Sequence, residues 1–204
     1  MGIKSKQKIY IDLVHYPLKT LGPGDRVGLW LQGCDILCKD CISPHNLTQT
    51  EDNLMLLDDL IDLLLNFDDC NKLTISGGEP FFQSEALHEL LSRIRFKFLD
   101  ILVYSGHSFE YLEKKFPQIL DLIDVLIDGE FNRKLPTKKI YKGSNNQRLY
   151  IFNKELIKIY SEYSTINKKI IQLHKTENNL YLLGIPDIKD RKSLIKILNK
   201  DKYV

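Results

Sequence analysis

Arg26-Val-Gly-Leu-Trp-Leu-Gln-Gly-Cys34-Asp-Ile-Leu-Cys38-Lys-Asp-Cys41 is the stretch on which the reading of this chain turns. Arg26 to Leu31 is a short, nearly continuous apolar run that reads as a strand. Gln32-Gly33 ends it, and three cysteines follow in the spacing C-x3-C-x2-C. Iron-sulfur clusters are normally held by four thiolates. A local set of three therefore suits a cluster whose remaining iron takes its ligand from elsewhere, such as a bound substrate. The alternatives are a zinc site completed by His45 or Cys70, or a disulfide. Zinc modules usually carry a second cysteine or histidine pair farther along, and this chain has only one more cysteine, Cys70. Disulfides suit small secreted domains, whereas Met1 to Lys8 is polar and basic, without the apolar core of a signal peptide.

Composition sets bounds around that stretch. The 204 residues are 43% hydrophobic, enough for one substantial core. Basic and acidic residues nearly cancel, 29 against 27, for a net charge of +2. Such a balance demands neither nucleic acid nor a membrane surface as partner. The lysines toward the C-terminus, among them Lys154, Lys158, Lys189 and Lys196, alternate with Ile, Leu and Tyr as on a solvated face. No apolar segment approaches the length of a membrane span. A cytoplasmic, reducing location is the expectation.

Working outward, short β-rich runs alternate with helical ones, which predicts an α/β fold built on a parallel sheet. Strands are expected at Ile9 to Val14, Arg26 to Leu31, Lys72 to Ser76, Ile101 to Tyr104 and Asp124 to Ile127. Helices are expected at Leu54 to Phe67, where leucines and isoleucines recur at helical spacing, at Glu85 to Phe96, and at Phe109 to Leu122, interrupted by Pro117. Lys134 to Asn146 reads as a long polar loop. Beyond it come a strand at Arg148 to Phe152, a helix at Lys154 to Tyr163, a β-hairpin turning at Glu177-Asn178, and a closing helix at Lys189 to Asn199. No linker divides the chain, so residues 1–204 are expected to form one domain, with 1–152 its core and 153–204 a C-terminal extension.

The polar and glycine motifs fall just past the predicted strands. Gln32-Gly33-Cys34 follows one, Gly77-Gly78-Glu79-Pro80 the next, Ser105-Gly106-His107 the third and Asp128-Gly129-Glu130 the fourth. Ligands of parallel α/β folds bind at the carboxyl ends of the strands, so the four loops are expected to share one rim. Gly77-Gly78-Glu79 has the makings of an ammonium site, with close backbone approach and one carboxylate. It reads equally as a strand-to-helix turn with Glu79 favouring a helix N-terminus. Asp128 suits ribose hydroxyls or a partner's loop, although Asp-Gly is also a common turn. Arg26 and Arg148 are capable of gripping a carboxylate, but as isolated arginines they read first as surface residues. His45 suits a hydrogen bond to a cluster sulfur or an ordinary exposed loop. His107 and His174 read as structural, and Trp30 as core.

Taken together, Cys34-x3-Cys38-x2-Cys41 and Gly77-Gly78-Glu79-Pro80 resemble the radical S-adenosylmethionine superfamily. Gly22-Pro23-Gly24-Asp25-Arg26, Tyr104-Ser105-Gly106-His107, Asp124 to Phe131 and Lys142-Gly143-Ser144-Asn145-Asn146-Gln147-Arg148 narrow the likeness to the activating enzymes of anaerobic ribonucleotide reductase, over about Gly22 to Arg148. The resemblance implies an incomplete parallel β/α barrel, here with a C-terminal β-hairpin and helix. It implies a 4Fe-4S cluster on Cys34, Cys38 and Cys41, with S-adenosylmethionine on the open iron. Reductive cleavage of that molecule yields a 5'-deoxyadenosyl radical, which in the activating enzymes takes a hydrogen atom from a glycine of a large partner protein. An electron donor such as flavodoxin or ferredoxin is implied as well. Gly77, Gly78 and Glu79 then belong to the methionine moiety, Tyr104, Ser105 and Gly106 to the adenosyl portion, and Asp128 completes the cofactor-binding set. Asp40 departs from the superfamily, many members of which carry an aromatic before the third cysteine, and Ile42-Ser43-Pro44-His45 is also unusual. Modification of a peptide or small molecule by the same radical, and a non-catalytic zinc-binding module, are the competing readings.

Overall fold

The computed structural model describes residues 6–176 and 180–187. Its elements run β1 (Lys8–Leu18), β2 (Arg26–Leu31), β3 (Leu54–Leu56), α1 (Leu57–Leu65), β4 (Lys72–Gly77), α2 (Ser84–Ile94), β5 (Asp100–Tyr104), α3 (Phe109–Lys115), α4 (Pro117–Leu120), β6 (Val125–Asp128), β7 (Arg148–Ile151), α5 (Ile157–Thr165), β8 (Ile171–Lys175) and β9 (Leu180–Gly184). The first seven strands form one sheet in the order β3-β1-β2-β4-β5-β6-β7, and β8 and β9 form a separate hairpin.

The four middle strands, β2, β4, β5 and β6, are parallel. Helices connect β4 to β5 and β5 to β6, as parallel neighbours require. The flanks run the other way, β1 antiparallel to β2, β3 to β1 and β7 to β6. The fold is thus mixed α/β with a mostly parallel centre. Leu54 to Leu56 departs from the helix expected there, because these residues pair with Lys8 to Tyr10 at the sheet edge before α1 begins. Pro117 divides the third helical stretch as expected, standing at the first turn of α4, where its missing N–H costs nothing. The turn at Glu177-Asn178 and the helix expected over Lys189 to Asn199 lie outside the described residues.

Period-two alternation separates the two faces of the sheet. Val27, Leu29, Leu31, Leu73, Ile75, Ile101, Val103 and Leu126 point into the larger core, with Leu60, Leu64, Leu87, Leu91 and Ile94 from α1 and α2 packed against them. The intervening residues, Arg26, Trp30, Thr74, Leu102, Tyr104, Val125 and Ile127, occupy the other face. There they meet Tyr160 and Tyr163 of α5 and, nearer β1, Leu183 of β9. Gly28 makes room on that face, since a Cβ there would stand 2.5 Å from the Trp30 ring.

One pair pins this second face at the amino ends of the parallel strands. Arg26 is fully buried, not a surface residue. Its guanidinium donates to both carboxylate oxygens of Asp100 at 2.6 and 3.0 Å, to the Thr74 hydroxyl at 2.7 Å and to the Leu73 carbonyl at 2.8 Å. The Tyr160 hydroxyl donates to Asp100 Oδ1 at 2.7 Å, tying α5 to the network. A buried charge is tolerable only when so completely paired.

Candidate iron-sulfur and cosubstrate site

The carboxyl ends of the four parallel strands open into one cavity. Cys34, Cys38 and Cys41 line it together with Gly77, Gly78 and Glu79 after β4, Tyr104, Ser105 and Gly106 at the end of β5, and Gly129 after β6. With its open mouth and the solvent there included, the space amounts to about 870 Å³. Of the residues assigned from the sequence to the cluster and the cosubstrate, all but Asp128 line it, whereas His45, Arg26 and Arg148 do not.

The cysteine loop is wound tightly. Leu37 and Asp40 hold positive φ angles of 52° and 66°, an uncommon state for an aspartate and a strained one for a leucine. Such strain at a loop that turns three thiols toward one space is characteristic of binding sites. The loop is anchored at its entry, where Gly33 N donates to the Asn46 carbonyl at 2.9 Å and Cys34 N to Leu47 at 3.1 Å. Asp40 pairs with Arg133 of the loop following β6 at 3.1 Å, so a charge occupies the position where many superfamily members place an aromatic ring.

The glycine pair serves this loop directly. Gly78 N donates to Leu31 O and Glu79 N to Gly33 O, each at 2.8 Å. A Cβ on Gly78 would stand 2.2 Å from the Gly33 carbonyl oxygen, and one on Gly77 2.3 Å from that of Leu31. The close approach that paired glycines permit is thus, in part, to the cysteine loop itself.

Glu79 is fully enclosed. Its Oε1 accepts the Ser105 hydroxyl at 2.8 Å and Phe81 N at 3.1 Å, and its Oε2 accepts Gly106 N at 2.7 Å. Burial nevertheless outweighs these three donors and pushes the carboxyl up to about 7. It is therefore a hub between loops as well as a wall of the cavity. Tyr104 lines the cavity, and its hydroxyl is buried without a hydrogen-bond partner among the described residues.

Asp128 is placed differently. It is fully buried, accepting Phe109 N at 2.6 Å and the Arg148 guanidinium at 2.5 and 3.1 Å. Arg148 grips Glu110 with its other face, two bonds of 2.8 Å. Both oxygens of Asp128 are thereby taken up in fixing the start of α3 to β7. His45 faces Asp12 at 3.4 Å, and His107 faces Asp35 of the cysteine loop at 3.2 Å while stacking on Tyr111. Trp30 is buried in an apolar cluster, as read, and also lines the cavity. The sequence reading did not single out Ile36, Phe131, Gln147 and Ile185 for the site. Ile36, Phe131 and Gln147 fell inside quoted motifs, whereas nothing local marks Ile185.

The donor set fits a cluster better than a single ion. Cys70, the remaining thiol, is buried in the core at the opposite end of β4, its sulfur against the Asp25 and Lys72 carbonyls. Among the described residues no three His, Cys, Asp or Glu side chains converge as they would on one metal ion. A cubane instead spreads its thiolate ligands over separate corners. Burial raises the Cys34 thiol and pushes Cys38 to about 11, opposed by backbone N–H groups of Ile36 and Leu37 for Cys34 and of Phe131 for Cys38. Thiols so desolvated ionise when iron supplies the positive charge, and backbone donors aimed at the sulfurs are among the levers that set a cluster's potential.

The family described as a 4Fe-4S single cluster domain matches residues 20–150, which contain the whole cavity floor and all three cysteines. The anaerobic ribonucleoside-triphosphate reductase-activating protein of Enterobacteria phage T4 is 33% identical over 135 residues, 63% of this chain and 85% of the relative. Its namesake from Escherichia coli K12 is 31% identical over 143 residues, 65% and 93% of the two chains, and that of Haemophilus influenzae 30% identical over 153 residues, 69% and 97%. This chain belongs to the family of anaerobic ribonucleoside-triphosphate reductase-activating proteins, radical S-adenosylmethionine enzymes built around one 4Fe-4S cluster.

Proposed function

We propose that this protein activates an anaerobic ribonucleotide reductase by creating a glycyl radical on it. One observation carries the reading: three half-buried thiols on a strained loop share a cavity with the Gly77-Gly78-Glu79 loop, at the carboxyl ends of four parallel strands. Cys34, Cys38 and Cys41 are the residues suited to hold the 4Fe-4S cluster. When bound, the cluster supplies the electron that splits S-adenosylmethionine into methionine and a 5'-deoxyadenosyl radical, which takes hydrogen from the partner's glycine.

The chain's own part is to bind, orient and exclude water. Gly77 and Gly78 bring a bare backbone to the cosubstrate's methionine end, and Glu79 holds that loop to Ser105 and Gly106, assigned to its adenosyl end. Asp128 contributes by fixing the rim, since its oxygens are engaged with Phe109 and Arg148. On this reading the open seven-stranded sheet is an incomplete β/α barrel, residues 1–204 form one domain with 153–204 as its extension, and a cytoplasmic flavodoxin or ferredoxin delivers the electron. No helix among the described residues is long and apolar enough to cross a membrane, and nothing in the charge balance calls for nucleic acid.

Anaerobic reconstitution with iron and sulfide, reduction, and incubation with S-adenosylmethionine and an anaerobic ribonucleotide reductase tests the proposal. The expected results are stoichiometric 5'-deoxyadenosine release and an organic-radical signal on the reductase. Release of 5'-deoxyadenosine with a short peptide as the only radical acceptor would instead identify a modifying enzyme. Zinc at one equivalent with no nucleoside product would sink the radical chemistry altogether.

A further inference from the structure

Residues beyond 150 lie outside the matched family region, and the relatives are nearly used up, 85 to 97% of their length, by 63 to 69% of this chain. The additional segment crosses the cavity face of the sheet. Ile140 N donates to Ile166 O at 3.0 Å, and Lys169 Nζ donates to the carbonyls of Lys139, at 2.6 Å, and Lys142. These bonds fasten it beside the loop that follows β6.

On the far side it is fastened to the turn between β1 and β2. The Tyr163 hydroxyl accepts Gly22 N at 3.0 Å and donates to Thr20 O at 3.3 Å. The Gln172 amide accepts Lys19 N at 3.0 Å and donates to Pro17 O at 2.8 Å. Between these moorings Leu183 is buried against Leu18, Leu21 and Trp30, with Tyr104 and Ile185 packed on the same cluster. Gly184 and Ile185 then line the cavity itself. Gly184 has a φ of 118°, and a Cβ there would stand 2.6 Å from the Ile170 carbonyl and 3.1 Å from Thr20, so the end of the hairpin is packed tightly against the residue leading into β8 and against the turn between β1 and β2.

We propose that the C-terminal hairpin is a positioning element of the cosubstrate site, with Ile185 as an apolar wall that keeps S-adenosylmethionine seated and water out on the side the sheet leaves open. The inference rests on the proposed activity for the identity of the ligand. Its physical logic is general: a reactive intermediate survives in a chamber walled by unreactive groups, and binding energy from remote apolar contacts orients the reacting centre. The hairpin's contribution to the lining, a glycine and an isoleucine, carries no titratable group.

The test uses the full-length protein and the variants Ile185→Ala, Ile185→Val and Gln172→Ala. In reconstituted enzyme, Ile185→Ala is expected to raise KM for S-adenosylmethionine about tenfold, equivalent to about 1.4 kcal/mol, with kcat and iron content near wild type. Ile185→Val is expected to recover most of the loss, and Gln172→Ala, which touches no cavity atom, to shift KM in the same direction. Trp30 is the only tryptophan, so acrylamide quenching of its fluorescence in cluster-free protein reports the same packing and should increase in Ile185→Ala and Gln172→Ala. An unchanged KM together with unchanged quenching overturns the proposal. If Ile185→Ala fails to fold, Gln172→Ala decides by the same two readouts. If wild type releases no 5'-deoxyadenosine, the activase reading fails, while the Trp30 readout, needing neither cluster nor cosubstrate, still decides whether the hairpin walls the cavity.

Discussion

The Ser105 hydroxyl donates to Glu79 Oε1 at 2.8 Å, inside a pocket where the carboxylate is 1% exposed. The bond joins the loops after β4 and β5, and Gly106 N on the other oxygen makes the joint bidentate. Because Glu79 N also donates to Gly33 O, one residue sets the spacing of three loops around the cavity. Its ionisation state is therefore a stability variable.

Glu79 should make stability fall with rising pH. Its folded-state value, about 7 against an ordinary 4.5, means the native state holds the proton more tightly than the unfolded chain. The native state carries no penalty below the ordinary carboxylate range, and an increasing one from about pH 4.5 to about 7, reaching on the order of 3 kcal/mol. Urea unfolding of cluster-free Glu79→Gln across that window should lose this component of the slope. An unaltered slope would mean that another group dominates.

The sequence disclosed this site through its strand ends. Apolar runs of four to six residues bounded by glycine located the parallel strands, and topology then brought the motifs to one rim. Strand direction leaves no trace in such runs, so the antiparallel pairing of β1 and β7 emerged only from the structure. The partner of a charge separated by many residues is equally invisible. Arg26 looked like a surface arginine because Asp100, which buries it, lies 74 positions away. The partners that engage Asp128, Phe109 and Arg148, are likewise remote, 19 and 20 positions away. Ile185 belongs to a hairpin whose docking surface, Leu18, Leu21 and Trp30, no local pattern announces.

The four thiols should divide three to one. Alanine at Cys34, Cys38 or Cys41 should abolish retention of iron and sulfide after reconstitution, because each removes a charge-bearing ligand from the shared cavity. Cys70→Ala should keep full iron content while losing about 1 kcal/mol in thermal or urea unfolding, as a small core deletion. Loss of iron from the Cys70 variant would refute the ligand assignment.

Breaking the Arg26 network should cost far more than trimming it. Asp100→Asn leaves a buried guanidinium without its counter-charge, and removing one partner of such a pair typically costs about 3–5 kcal/mol. Tyr160→Phe deletes only the 2.7 Å bond from α5 to Asp100, worth about 1 kcal/mol. Chemical denaturation of the two variants should show that ordering. Equal losses would mean that the Tyr160 hydroxyl is worth as much to the network as the Asp100 charge, since phenylalanine keeps the ring.

Gly78→Ala should release iron although it lies far in sequence from Cys34, Cys38 and Cys41. The substituted Cβ meets the Gly33 carbonyl oxygen at 2.2 Å and that of Asn46 at 2.7 Å, both backbone atoms of the segment that enters and leaves the cysteine loop. Neither neighbour is a flexible side chain able to swing aside, so relief requires the two loops to part and the Glu79 N to Gly33 O bond to stretch. That bond is one of the few holding Cys34 in place at the end of β2. Iron and sulfide content should therefore fall severalfold, while the helical signal, carried by α1 and α2 on the other face of the sheet, stays near wild type. Full iron content in a well-folded Gly78→Ala protein would show that the cysteine loop keeps its shape independently of the glycine turn.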